Sequence, residues 1–338
     1  MPDSSTSTKS TTCTEQALVS IVLPTYNRAA VLPHAITSIL AQSYLNFELI
    51  IVDDNSPDNT RAVVDSFHDS RIHYVKNDPN LRLPRALNRG FSQARGEFLT
   101  WTSDDNLLCH DAIEKMVALI HQKSCDFVYA DYYLFSELDG DNQPIDPKRD
   151  HLAGELQLEK GNHIGACFLY TRALYEKIGD YDPELFLVED YDYFMRAAQH
   201  FTFCHLPEAL YYFRRDDNTL YCSRYCEVKC SDVLVRYKNG LLNQDELIQT
   251  LVSLILNNFE DVKNPFIRRG KPVLGNISYR LGKLHQHLSR RYLQSKLSKP
   301  VNDLLCDYSA KKASFEQTRD AIKTHLEAIA DISYKMQK

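Results

Sequence analysis

Short apolar runs alternate with stretches of helical spacing through the first third of the chain. Val19–Leu23 is β-branched and apolar throughout, the pattern of a strand covered on both faces. Pro33 marks the first turn of a helix, and Leu32, Ile36, Ile39 and Leu40 follow on one face. Phe47–Val52 predicts a second buried strand, ending in Asp53-Asp54, and Asn55 to Thr60 supply loop and cap chemistry before a helix reaching about Phe67. Ile72–Lys76 reads as a third strand, Pro84–Ala94 as a helix with Gly96 just beyond it, and Phe98–Thr102 as a fourth strand running into Ser103-Asp104-Asp105-Asn106. Asp111 opens a helix over Ala112–Gln122, and Asp126–Ala130 is a fifth strand.

Beyond this the pattern loosens. Ser136–Asp150 is polar and acidic and reads as an exposed loop, His163–Tyr170 returns to strand character, a helix spans about Asp190 to His200, and Leu210–Phe213 is an aromatic strand. From about Tyr225 the chain reads as mostly helical. Alternating strands and helices imply an α/β fold, a mostly parallel sheet flanked by helices, here with a helical C-terminal extension. Ligands of such sheets bind beyond the carboxyl ends of the strands. Both Asp-Asp pairs lie at such ends.

The first pair, Asp53-Asp54, caps a helix or binds a ligand. A dinucleotide fold would need a glycine-rich turn after the first strand, and here that strand ends in Pro24-Thr25-Tyr26-Asn27-Arg28 without glycine. A carboxylate at this place can instead accept the imide N–H of a uracil or thymine, with Tyr26 stacked on the same base. Bringing the second pair, Asp104-Asp105, together is costly with no basic neighbour unless a cation shares the site. Carboxylate oxygens at low count suit Mn²⁺ or Mg²⁺, with phosphate oxygens and water completing the shell. Helix capping is the competing reading for this pair as well.

Composition narrows the functional classes. The net charge of -6 argues against a dedicated nucleic-acid binder. Ala17–Pro24 and Leu247–Leu256 are the longest apolar runs, and both are too short for a membrane span. Residues 1–16, rich in Ser and Thr, read as a disordered tail. The nine cysteines read as reduced thiols; Cys222, Cys226 and Cys230 could share a helix face, but their spacing is not that of a zinc site. Residues 262–302 hold ten Lys or Arg and no acid, with Ile277, Leu281, Leu284 and Leu288 at helical spacing. Such a helix either packs on the catalytic domain with a solvated basic face or lies on an anionic membrane. Residues 313–336 form a helix that could join subunits into a homo-oligomer. Together these features give a cytoplasmic protein, peripheral on the membrane's cytoplasmic face if the basic helix is used.

Val19 to Arg28, Ser38 to Tyr44, Phe47 to Ser56, Ala94 to Leu99, Thr102 to Asn106 and Glu189-Asp190-Tyr191-Asp192, taken in order, resemble the family 2 glycosyltransferases. The resemblance covers about residues 17 to 216 and implies a GT-A fold, with residues 17–222 as catalytic domain and 223–338 as a helical region for packing, membrane contact or oligomerisation. It implies an inverting enzyme that passes a sugar from a nucleotide-diphosphate donor, UDP or dTDP favoured, to a glycan or lipid-linked acceptor, with Mn²⁺ or Mg²⁺ as cofactor. Pro24, Thr25 and Tyr26 would lie along the nucleoside, and Asp54 would hold the pyrimidine edge. Arg82 or Arg85 would reach the base or diphosphate. Asp104 would face the ribose, Asp105 would bind the metal, with Asp104 able to share that role, and Asp190 would be the catalytic base. The commoner family motif has an acid where this chain has Thr102. Two further readings are a sugar-nucleotide nucleotidyltransferase, against which stands the missing glycine-rich loop, and a non-catalytic sugar-nucleotide or carbohydrate-binding module.

Overall fold

The computed structural model describes residues 16–152, 154–216, 219–256 and 276–335. In chain order the elements are β1 (Val19–Thr25), α1 (Leu32–Leu40), β2 (Phe47–Asp53), α2 (Thr60–Asp65), β3 (Ile72–Lys76), α3 (Leu83–Phe91), β4 (Phe98–Trp101), β5 (Leu107–Leu108) and α4 (Ala112–Lys123). There follow β6 (Phe127–Phe135), β7 (Lys148–Asp150), β8 (Phe168–Thr171), α5 (Arg172–Ile178), α6 (Glu189–Ala198) and β9 (Phe203–Arg214). The chain closes with α7 (Leu220–Ser223), α8 (Tyr225–Lys238), α9 (Gln244–Leu256), α10 (Asn276–Ser309) and α11 (Phe315–Lys335).

One sheet runs in the order β3-β2-β1-β4-β8-β6-β9-β5, with β7 added beside β6. Its first four strands are parallel, as their uninterrupted apolar runs require. The other half is mixed: β8 runs antiparallel to β4 and β6, and β5 antiparallel to β9, while β6 and β9 are parallel. Successive residues of β1 point to opposite faces. Val19, Ile21 and Leu23 pack against α1 and α4, whereas Val22 joins the opposite core with α3, α6 and the C-terminal helices. Leu293, Leu297, Val301, Leu305, Phe315 and Leu326 extend that second core, so α10 and α11 are continuous with the packing on the sheet.

Several sequence boundaries shift. β9 begins at Phe203, because Cys204 to Ala209 lack an apolar pattern yet pair with the long β6. The polar stretch after β6 contributes β7, and α5 follows β8 with Thr171 as its side-chain cap. Cys226 and Cys230 are buried thiols in the helical core. Residues 1–15 of the expected tail lie outside the described residues. So do residues 262–275 of the basic segment and the side chains of its amphipathic face, including Ile277, Leu281, Leu284 and Leu288. Among the described residues no helix is long and apolar enough to cross a membrane.

Candidate active site

The parallel register brings the acidic loops to one edge. Thr25 pairs with Asp53 and Val22 with Trp101, and the chain continues with hydrogen bonds from Asp54 N to Thr25 O (2.9 Å) and from Thr102 N to Val22 O (3.0 Å). The loops after β1, β2 and β4 therefore leave the sheet side by side. The start of α6 and the end of β9 complete a cavity of about 560 Å³. Pro24, Thr25, Tyr26, Asp54, Arg82, Asp104, Asp105 and Asp190 all line it. Arg85 does not: its guanidinium donates to the carbonyl of Pro183 at 3.3 Å.

Asp54 is buried and its carboxylate gathers the segment after β3. It accepts from Asn77 Nδ2, Leu81 N and Arg82 N, each at 2.8 Å. A carboxylate offers about four lone-pair directions, so these bonds leave room for one more donor. Tyr26 is 51% exposed at the same wall, with its ring open to a stacking partner.

Asp104 and Asp105 do have a basic neighbour, which corrects the expectation of a pair without one. Arg28 Nη2 donates to Asp105 Oδ2 at 2.6 Å, and its Nε lies 3.7 Å from Asp104 Oδ1. Arg214 adds a hydrogen bond from Nε to the Asp105 carbonyl at 3.2 Å. Even so, burial and then the charge of Asp105 push the Asp104 carboxyl up to about 7. Burial also raises Asp105, against the pull of Arg28 and then Arg214. The charge on these two groups is thus under-compensated, and their hard oxygens are the donors a divalent cation prefers, so the pair fits such an ion. Among the described residues no cluster of three or more metal-ligating side chains occurs, so most of the shell would come from ligand and water oxygens. Thr102 faces away from this chemistry: its buried hydroxyl lies 2.7 Å from that of Tyr211.

The acids of α6 separate into two environments. Asp192 is fully buried and structural, held by Arg196 (2.7 Å), Lys238 (2.8 Å) and Asn239 (3.0 Å). Burial works against its charge, but Lys238 and Arg196 prevail and keep it below the ordinary carboxylate range. Glu189 and Asp190 line the cavity with no such cation among the described residues, and burial drives both carboxyls upward. Asp190 accepts from Tyr191 N at 2.7 Å and from Asn162 Nδ2 at 3.1 Å. Glu189 accepts from Leu187 N at 2.9 Å, which secures a turn whose φ is 87°. The arginines Arg28, Arg214 and Arg224, with Glu189 and Asn162, were not assigned from sequence. Only their convergence across the fold identifies them, although Arg28 directly follows the Pro24-Thr25-Tyr26 strand end.

Residues 20–179 match the family profile described as Glycosyl transferase family 2. This part of the chain is a family 2 glycosyltransferase domain. The glycosyltransferase GlyG of Streptococcus pneumoniae is 32% identical over 145 residues, 42% of this chain and 48% of that protein. The Escherichia coli UDP-Glc:alpha-D-GlcNAc-diphosphoundecaprenol beta-1,3-glucosyltransferase WfgD is 33% identical over 119 residues, 35% of this chain and 47% of that protein. The chain thus spans about half the length of these curated relatives. Solved structures share the fold of the family 2 domain together with its C-terminal helices. Residues 1–349 of S. aureus TarS align with a TM-score of 0.53 at 18% identity, covering 95% of this chain and 92% of that one. The mannosyltransferase PcManGT of Pyrobaculum calidifontis, solved with GDP-Man and Mn2+, aligns with a TM-score of 0.51 at 16% identity, covering 96% and 89%.

Proposed function

We propose that the chain transfers a sugar from a nucleotide-diphosphate donor, with UDP or dTDP favoured, to a hydroxyl of a glycan or lipid-linked glycan, inverting the anomeric carbon. One observation carries this reading: the same cavity is lined by Asp54, by the Asp104-Asp105 pair and by Asp190. Relatives and neighbours support it. TarS has been solved with UDP-GlcNAc, and WfgD is named for a diphosphoundecaprenol-linked acceptor.

In this reading Pro24, Thr25 and Tyr26 flank the nucleoside, the remaining acceptor capacity of Asp54 meets a pyrimidine imide N–H, and Asp104 faces the ribose. Asp105, with Asp104, would hold Mn²⁺ or Mg²⁺. The bound cation would supply charge neutralisation for a diphosphate leaving group. Arg28 reinforces this from the protein side, since its guanidinium already reaches the carboxylates. Asp190 accepts the proton of the acceptor hydroxyl while that oxygen bonds to the anomeric carbon from the face opposite the diphosphate. The C–O bond to the phosphate breaks, and its electron pair leaves with the phosphate oxygen. A carboxylate raised by burial but kept ionisable by Tyr191 N–H and Asn162 is suited to take that proton near neutral pH.

A panel of nucleotide sugars, read by thermal stabilisation with and without Mn²⁺ and then by slow donor hydrolysis, tests this. Stabilisation by a UDP- or dTDP-sugar that needs the metal, followed by turnover, is expected. Binding without turnover would leave a non-catalytic module, and the absence of any nucleotide effect would remove the donor site.

A further inference from the structure

We propose that Arg82 and Arg224, set around Phe186, form a second anion subsite in this cavity, which takes the phosphate group of a phosphorylated acceptor. The proposal rests on the reading of the cavity as a glycosyl-donor site. Four arginines line the cavity, and they fall into two pairs. Arg28 and Arg214 bond to Asp105, where the donor's diphosphate is assigned. Arg82 and Arg224 bond to neither aspartate. Their guanidinium carbons lie 5.8 and 5.3 Å from the centroid of the Phe186 ring. A nucleotide sugar carries a single diphosphate, so the second pair is left for a different anion.

Three features favour a ligand over simple surface pairing. Arg82 has φ 65° and ψ 162°, a region almost confined to glycine, and the Asp54 carboxylate holds it there through the backbone N–H. Such strain costs about 1–3 kcal/mol and persists where surroundings over-determine it, commonly at ligand sites. The present partners of both guanidiniums are exchangeable. Arg82 meets Glu316 of α11 at 2.7 Å with its side chain 58% exposed. Arg224 lies 3.9 Å from Glu227, which is bonded more closely to Lys323, at 2.8 Å. Exposed pairs of this kind hold their arginines weakly, whereas two guanidinium forks match phosphate geometry. Finally, the loop bearing Phe186 leads directly into Glu189 and Asp190, so a group held there belongs to the acceptor's end of the cavity.

Trp101 is the one tryptophan of the chain and lines the cavity, which makes its fluorescence a reporter. The full chain, with UDP and Mn²⁺ at saturation, is titrated with octyl phosphate, inorganic phosphate and octanol. Octyl phosphate should bind and octanol should not. Arg224→Ala and Arg224→Gln should each weaken octyl phosphate by about tenfold or more while UDP affinity stays within about twofold. Inorganic phosphate matching octyl phosphate identifies a free phosphate group as sufficient; octyl phosphate alone identifies a lipid-type headgroup. Equal loss of UDP and phosphate in both variants would assign Arg224 to the donor and overturn the proposal. So would phosphate binding that neither variant changes. Should UDP fail to bind the native chain, the donor reading falls, and the same titrations without UDP still judge the anion subsite.

Discussion

Arg28 and Asp105, 77 positions apart in sequence, meet at 2.6 Å because β1 and β4 are parallel neighbours that release their next loops together. The arginine holds part of the charge that a divalent cation would otherwise neutralise. Removing it leaves two largely buried carboxylates facing each other. Arg28→Ala should therefore melt at a lower temperature than the native chain without metal and gain more from Mn²⁺. Equal Mn²⁺ shifts in the two proteins, measured by thermal melting, would contradict this.

Asp190 lies at the first turn of α6 and lines the cavity, held by Tyr191 N and Asn162, whereas Asp192 is locked to Arg196 and Lys238. Asp190→Asn should keep UDP affinity and lose transfer by about 10²–10⁴-fold. A steady-state assay with the donor found by screening decides it, and native turnover would move the base elsewhere.

The pH profile should report the environment of Asp190. Burial raises its carboxyl, and the Asn162 amide acts in the opposite sense by stabilising the charged form. The base works when ionised, so activity should fall as pH drops through a value above the ordinary aspartate range. Asn162→Ala removes a bond to the anion and should move that acid limb to higher pH. The stability consequence has a definite sign as well. A carboxyl raised in the folded state favours folding at low pH, and that contribution is lost as pH rises from the ordinary range through the raised one. An acid limb that stays in place in the variant would show that Asn162 does not touch the working base.

Gly96 packs where no side chain fits. A Cβ there would meet Ser20 N at 2.6 Å and the Leu18 carbonyl at 2.7 Å, both rigid backbone at the root of β1. Gly96→Ala should destabilise the fold by about 1–3 kcal/mol, measured by denaturant unfolding, with UDP weakened only through the lost folded fraction. A variant as stable as the native chain would mean that β1 and β4 separate more easily than their packing implies.

The parallel half of the sheet was legible because its strands are covered on both faces and so read as unbroken apolar runs. The rest was less so. β9 is half-covered and interrupted by Pro207 and Glu208, leaving Leu210–Phe213 as its only clear signal. The aspartates could be read from their positions at strand ends. Their arginine partners could not, because Arg28, Arg214 and Arg224 reach the cavity through register and helix packing that no local spacing encodes. Arg82 and Arg85 were equivalent in sequence. Folding separates them, since Arg82 caps α3 at the cavity wall while Arg85, three residues on, bonds the Pro183 carbonyl.

Calorimetric titration of UDP into the native chain and Asp105→Asn, each with and without Mn²⁺, tests the central claim most directly. The native chain should bind UDP more tightly with Mn²⁺, and the variant should lose that metal-dependent gain. The same gain in both proteins, or no UDP binding by the native chain with Mn²⁺ present, would contradict a donor site built on the Asp104-Asp105 pair.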